Sequence, residues 1–161
     1  MDARSESSKE RMKQLFERYM KSYAESTGLP GSLAKDYSEQ DTATKFIKPL
    51  IEALGWNPLS MQEVREEVSL KDKRIDCVLY SSGKPHIVFE FKSLGFGVLH
   101  GKFDASELIN NAKALHAKYA VLSRFRETIV YDPATGKEVY YFVLEDYVEK
   151  FGILWKYLSK I

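Results

Sequence analysis

The sequence predicts an α/β fold, of the α+β kind, with helices packed on a mixed sheet. Three observations predict it. Segments with helical periodicity alternate with short runs rich in β-branched and aromatic residues. Gly, Pro, Ser and Asp clusters separate these segments. Their order is helix, strand, strand, strand, helix, strand, preceded by one helix and followed by a hairpin and a last helix. Three meandering strands and a fourth reached through a helix imply both antiparallel and parallel neighbours in one sheet.

The first helix is expected from about Ser8 to Ala24, because Met12, Leu15, Phe16, Tyr19, Met20 and Tyr23 recur on one face. The polar residues before it are expected to fray, and Thr27-Gly28-Leu29-Pro30-Gly31 to stop it. A second helix runs from about Ser38 to Leu54 and ends at Gly55. Its buried stripe is Phe46, Ile47, Leu50, Ile51 and Leu54, and Pro49 implies a kink or a missing hydrogen bond. At roughly 100° per residue, Glu39 projects near that stripe and Glu52 almost opposite it. Glu39 is thus the acid of this helix that can face the sheet, although a first-turn carboxylate also simply suits the helix dipole.

Strands follow over about Gln62 to Leu70, Lys73 to Tyr80 and His86 to Lys92. A third helix is expected from Asp104 to about Ala117, with Asp104 and Glu107 as a capping box and His116 at its end. Tyr119 to Ser123 reads as a buried strand. Glu127 to Asp132 and Glu138 to Leu144 form a hairpin around Pro133-Ala134-Thr135-Gly136. Glu145 to about Ser159 closes the chain as a helix.

The chemistry is concentrated in Arg74-Ile75-Asp76 and Phe89-Glu90-Phe91-Lys92. Strand alternation puts Val88, Glu90 and Lys92 on one face and Ile87, Phe89 and Phe91 on the other. Buried acids are costly unless paired or metal-bound. Asp76 and Glu90 on adjacent strands, with Lys92 two residues on, suit a divalent cation held by hard oxygen ligands. The competing reading is a Glu–Lys pair on a half-exposed strand.

The bulk numbers limit the function. The 161 residues are 44% hydrophobic with net charge +1, so any nucleic-acid surface must be local. The single cysteine, Cys77, allows no internal disulfide and suits a small buried apolar site. Neither a signal peptide nor an apolar run long enough for a membrane span is visible, so a cytoplasmic protein is expected. The aromatic tail, with Tyr131, Tyr140, Tyr141, Phe142, Tyr147, Trp155 and Tyr157, reads as core and dimer surface.

The motifs carry a resemblance. Ser38-Glu39-Gln40-Asp41-Thr42, the run Phe46 to Trp56, Arg74-Ile75-Asp76, Phe89-Glu90-Phe91-Lys92, and Ala112 to Leu115 leading into Tyr119 to Ser123 resemble the PD-(D/E)xK nuclease superfamily. Within it they look most like the N-terminal nuclease domain of type I restriction enzyme R subunits and small stand-alone relatives. The resemblance implies a restriction-endonuclease-like core α-β-β-β-α-β over residues 38–132. It would sit in one domain over 1–161, with a helical extension at 1–30 and a C-terminal strand and helix at 133–161.

The resemblance further implies Asp76, Glu90 and Glu39 as ligands of Mg²⁺ or Mn²⁺, with the Phe91 carbonyl as another. Lys92 would position or activate the attacking water. The reaction would be endonucleolytic hydrolysis of phosphodiester bonds in DNA. Relatives often carry a Gln-x-x-x-Tyr pair on the third helix, where this chain has Glu107 and Asn111. Those two, with Lys102, Lys113, Arg124 and Arg126, are the expected substrate-binding rim. The alternative is a degenerate nuclease-fold module that binds nucleic acid or a protein without cutting. A homodimer and a separate motor or specificity subunit are the expected protein partners.

Overall fold

The computed structural model describes residues 2–26 and 37–160. Helix α1 spans Ala3–Ser26. Helix α2 occupies residues 39–53 in three joined segments: Glu39–Thr42, a π-helical Ala43–Ile47, and Lys48–Ala53. Strands β1 (Val64–Leu70), β2 (Lys73–Ser81) and β3 (Lys84–Phe91) follow, then α3 (Ser106–Ala114) and β4 (Tyr119–Ser123). Strands β5 (Glu127–Asp132) and β6 (Lys137–Val143) precede two short helices, α4 (Asp146–Glu149) and α5 (Phe151–Leu158).

The strands form one six-stranded sheet in the order β1-β2-β3-β4-β5-β6. Every neighbouring pair is antiparallel except β3 and β4, which run parallel across the α3 connection. This is the mixed sheet that the element order implies. Strand alternation sorts the core into two layers. Cys77, Leu79, Ile87, Phe89 and Phe91 pack with α1, α2, α4 and α5, whereas Val78, Val88, Ala120 and Leu122 pack with Leu108 and Ala112 of α3.

Several boundaries differ from the sequence expectation, each for a local reason. Helix α1 does not fray at its start: Asp2 Oδ1 accepts the Ser5 N–H at 2.8 Å, Ser5 and Ser8 are buried, and Arg4 reaches the Lys160 carbonyl at 2.7 Å. Met12, Leu15 and Tyr19 are buried as expected, but Met20 is 44% exposed. The Tyr23 side chain and the stop at 27–31 lie outside the described residues. Pro49 causes no break in α2. The Lys48 N–H bonds back five residues to the Ala43 carbonyl, and the Lys45 carbonyl, which Pro49 cannot serve, lies 3.5 Å from Arg18 Nη2.

Helix α3 is shorter than expected, and the capping box is absent. Asp104 Oδ1 instead takes the Ser106 N–H and hydroxyl at 3.0 and 2.5 Å, a local turn that starts the helix later. Its end is set by His116 in the left-handed region (φ +56°), which lets the Ala117 N–H reach the Ala112 carbonyl at 2.9 Å. The last helix is interrupted at Lys150 (φ −116°, ψ 32°). Gly55 (φ +92°) closes α2 as expected, and a Cβ there would lie 3.1 Å from the Arg4 guanidinium.

One buried polar ring ties the β4–β5 turn to α4. The β4–β5 turn places Phe125 at φ +68°, a costly conformation for a bulky residue. The Phe125 N–H donates to Ser123 Oγ, which lies 2.8 Å from Thr128 Oγ1, which in turn lies 2.6 Å from the Tyr147 hydroxyl. The Tyr147 hydroxyl donates back to the Phe125 carbonyl. The Phe125 ring packs on Tyr19, Phe46 and Tyr147 at centroid distances of 5.2, 5.1 and 5.4 Å. Tyr147→Phe leaves the buried Phe125 carbonyl without this donor and removes one of the two partners of Thr128 Oγ1; it is expected to cost about 1–3 kcal/mol in chemical denaturation, with the fold retained by circular dichroism.

Candidate active site

The candidate site forms where β2 and β3 part. Their registered pairs run from Ser81↔Lys84 to Cys77↔Phe89. Beyond that point the Asp76 side chain takes over: its Oδ2 accepts the Phe91 N–H at 2.7 Å. The local path of β2 explains why Asp76 is available. Ile75 and Val78 pack in the same layer although they are three residues apart, so the face alternation slips between them. Opposite the slip, between the pairs Glu66↔Cys77 and Val68↔Ile75, Glu67 of β1 takes φ +52°.

Asp76 thereby borders two cavities. The larger, of about 290 Å³, is lined by Glu39, Gln40 and Ala43 of α2, Lys48, Glu66 and Glu67, together with Asp76 and Phe91. The smaller, of about 50 Å³, is lined by Asp76, Glu90, Arg74, Glu107 and Asn111 among others. Glu39 and Asp76 thus meet in one cleft, and Asp76 and Glu90 in the next. Glu52 is exposed on the far side of α2, as its helical phase predicts. Glu39 is fixed by the start of α2: Ser38 Oγ caps the Asp41 N–H at 2.9 Å. Thr42, three residues on, accepts the Leu94 N–H at 3.0 Å and so ties α2 to the segment just after Lys92.

Lys92 is the cation shared by the acids. Its Nζ lies 3.6 Å from Glu90 Oε1. Two rings bracket it, Phe96 at 5.5 Å and Phe103 at 5.2 Å from Nζ to centroid. The carboxyls of Asp76, Glu90 and Glu39 are all held above the ordinary carboxylate range, in each case chiefly by burial. The Lys92 ammonium opposes the shift at all three, and the Phe91 N–H opposes it at Asp76. Each acid also raises or is raised by another: Asp76 acts on Glu39 and Glu90, and Glu67 on Asp76.

The donor set fits a hard divalent cation: the half-buried Asp76 and Glu90, with the exposed Glu39, carry more negative charge than one lysine offsets. Among the described residues, no group of three His, Cys, Asp or Glu side chains already converges closely enough to hold a metal ion. Glu39 and Glu90 stand in different cavities, joined by Asp76.

The expected substrate rim divides. Glu107 and Asn111 line the smaller cavity beside Glu90. Lys102 is exposed in the turn just before Phe103, and Lys113 is exposed in the last turn of α3. Arg126 is half-buried in the β4–β5 turn. Arg124 does not belong to a rim. It is buried, pairs with Glu127, and donates to the Leu94 carbonyl at 3.0 Å. Glu127 in turn accepts the N–H groups of Leu99 and His100 at 3.2 and 3.4 Å and the Tyr141 hydroxyl at 2.9 Å. The pair therefore pins both ends of the segment that carries Phe96. A Glu three residues after an Arg is a visible signal for such a pair, but charge alone reads equally well as a phosphate contact. Neither Phe96, Phe103 nor Glu67 stands out in the sequence, because their roles depend on the loop path and on backbone torsion.

No known family profile and no curated protein sequence matches the chain. A search of solved structures finds similarity to a fragment assigned to an HsdR subunit of a type I restriction enzyme from Vibrio vulnificus YJ016. The TM-score is 0.50 at 23% identity, over 73% of this chain. The chain spans 26% of that fragment's length. The likeness supports a fold of the restriction-enzyme kind. Among the described residues, no helix is long and apolar enough to cross a membrane.

A group whose carboxyl is raised in the folded state contributes stability below its ordinary range and loses it as pH rises through the shifted value. Asp76→Asn removes that penalty while keeping an acceptor for the Phe91 N–H. The variant is expected to melt higher than the parent at pH 7–8, with the gap closing toward pH 4. Calorimetric melts across that range check it; a lower melting temperature for the variant at pH 7–8 rejects the account.

Proposed function

We propose that the chain is a metal-dependent nuclease of the PD-(D/E)xK type, hydrolysing phosphodiester bonds in DNA, within a single domain over residues 1–161. One observation carries the reading. Asp76 bridges two cavities, with Glu39 in one and Glu90 in the other, and Lys92 Nζ stands 3.6 Å from Glu90. The type I restriction neighbour supports it at the level of fold.

In this reading Asp76, Glu90 and Glu39 would hold Mg²⁺ or Mn²⁺, and the Phe91 carbonyl would be a further ligand. When bound, such a cation polarises the scissile phosphate and lowers the pKa of an attending water. The chain's own groups do the rest. Asp76 is oriented by the Phe91 N–H and cannot swing away without stranding it. Lys92 sits between Glu90 and two aromatic faces, placed to orient the attacking water or to take up charge developing on the phosphate. Glu107 and Asn111 border the pocket on the α3 side, where they contact substrate. A motor or specificity polypeptide, a homodimer and a cytoplasmic location complete the proposal.

A second reading is favoured by Glu107. A carboxylate facing the cavity beside Glu90 raises that acid further, adding repulsion where a phosphate would sit. The fold would then bind nucleic acid or a protein without cutting.

Labelled single- and double-stranded DNA incubated with Mg²⁺ or Mn²⁺ separates the two. Cleavage is expected, and Glu90→Ala and Lys92→Ala are each expected to slow it by at least about 100-fold. Undiminished cleavage in both variants sinks the assignment. Titration calorimetry with Mn²⁺ is expected to show binding in the parent and loss of it in Asp76→Ala. DNA binding without metal binding favours the second reading.

A further inference from the structure

A third cavity, of about 300 Å³, lies between the β1–β2 turn and α3. Lys71, Asp72 and Lys73 line it from the turn, and Asn110 and Asn111 from the helix. It adjoins the candidate active site through two links. Asn111 lines both this cavity and the one holding Glu90. Lys73 Nζ lies 3.5 Å from Glu107, which also borders the Glu90 cavity.

The turn itself is unusual. Leu70 pairs with Lys73, leaving a two-residue turn of Lys71 and Asp72. Lys71 takes φ +55°, where Gly, Asn or Asp is the low-cost choice. A lysine held at such a position projects a charge from the tip at some conformational cost, a pattern associated with ligand contact. Among the described residues Lys71 makes no ion pair. The two asparagine amides add neutral donors, suited to phosphate oxygens. Lys73 is only loosely held, since both it and Glu107 are more than half exposed.

We propose that this groove binds a backbone phosphate of the nucleic-acid strand, next to the phosphate that reaches the acidic centre. The inference rests on the nuclease reading and extends it by giving the strand a path over the α3 face. An acidic centre repels a polyanion, so a strand needs cations flanking it. Lys71 and Lys73 supply them at the turn, while Asn110 and Asn111 orient the phosphate. On binding, the phosphate replaces Glu107 as the partner of Lys73.

Fluorescence anisotropy with a short labelled DNA duplex and the matching single strand tests this, in EDTA so that no cleavage intervenes. Each cation that meets a phosphate adds about 1 to the slope of log Kd against log salt concentration. Lys71→Gln and Lys73→Gln are each expected to lower the slope by about 1, and the double variant by about 2. Lys84→Gln, at the β2–β3 turn far along the strands, is expected to leave it unchanged. A double variant with the parent's slope, an equal loss in Lys84→Gln, or a parent that binds neither probe overturns the proposal. Both lysines are exposed, and coincident thermal melts confirm that the variants fold.

The two readings fail separately. A slope that falls in the double variant while the parent cuts nothing with Mg²⁺ or Mn²⁺ keeps the groove and rejects the nuclease. Cleavage with an unchanged slope does the reverse.

Discussion

The hydrogen bond from the Phe91 N–H to Asp76 is the constraint on which the site depends. It sits where the β2–β3 ladder ends, so it replaces a backbone partner with a carboxylate. An unpaired N–H at that depth would be costly, and the carboxylate that satisfies it is itself only partly solvated. The strand therefore cannot close up over Asp76, and the acid cannot leave. Everything else at the site is arranged around that fixed oxygen. The α2 acid approaches it from one cavity, the β3 acid from the other, and Lys92 offsets part of the shared charge.

A second constraint holds the loop after β3. Arg124 and Glu127 are buried together, and between them they bind the loop at Leu94, Leu99 and His100. Removing one partner of such a pair leaves the other buried and uncompensated, which is strongly destabilising. Their effect at a distance is to limit where Phe96 can go, and with it the aromatic enclosure of Lys92. Thr42 serves the same loop from the opposite side. Lys92 is thus supported by residues of α2 and of the β4–β5 hairpin that do not themselves touch it.

Much of this was legible from sequence, and the reasons are physical. The sheet order follows from where apolar runs and turn residues fall, because short connections force antiparallel neighbours and the helical one permits a parallel pair. Helical phase points Glu39 toward Asp76 and Glu52 away from it, although both are exposed. Strand alternation places Glu90 with Lys92. What sequence could not yield is anything set by torsion or by long-range pairing. The slip in β2 at Asp76, the left-handed Glu67 and Lys71, and the π-helical turn that absorbs Pro49 have no period to read. Arg124 illustrates the same limit. Its charge suggested a phosphate contact, but its partner three residues away, once the hairpin folds, draws it inward instead.

Cys77 neighbours Asp76 in β2 and lies between Glu66 and Phe89 of the adjoining strands. It is buried, and burial pushes its thiol up to about 12. A thiol reagent can therefore reach it only when the β1–β2–β3 sheet opens. As the chain's single cysteine, it acts as a built-in clock. The rate at which it is trapped measures the free energy of separating the very strands that carry the acids, without any label having to be introduced.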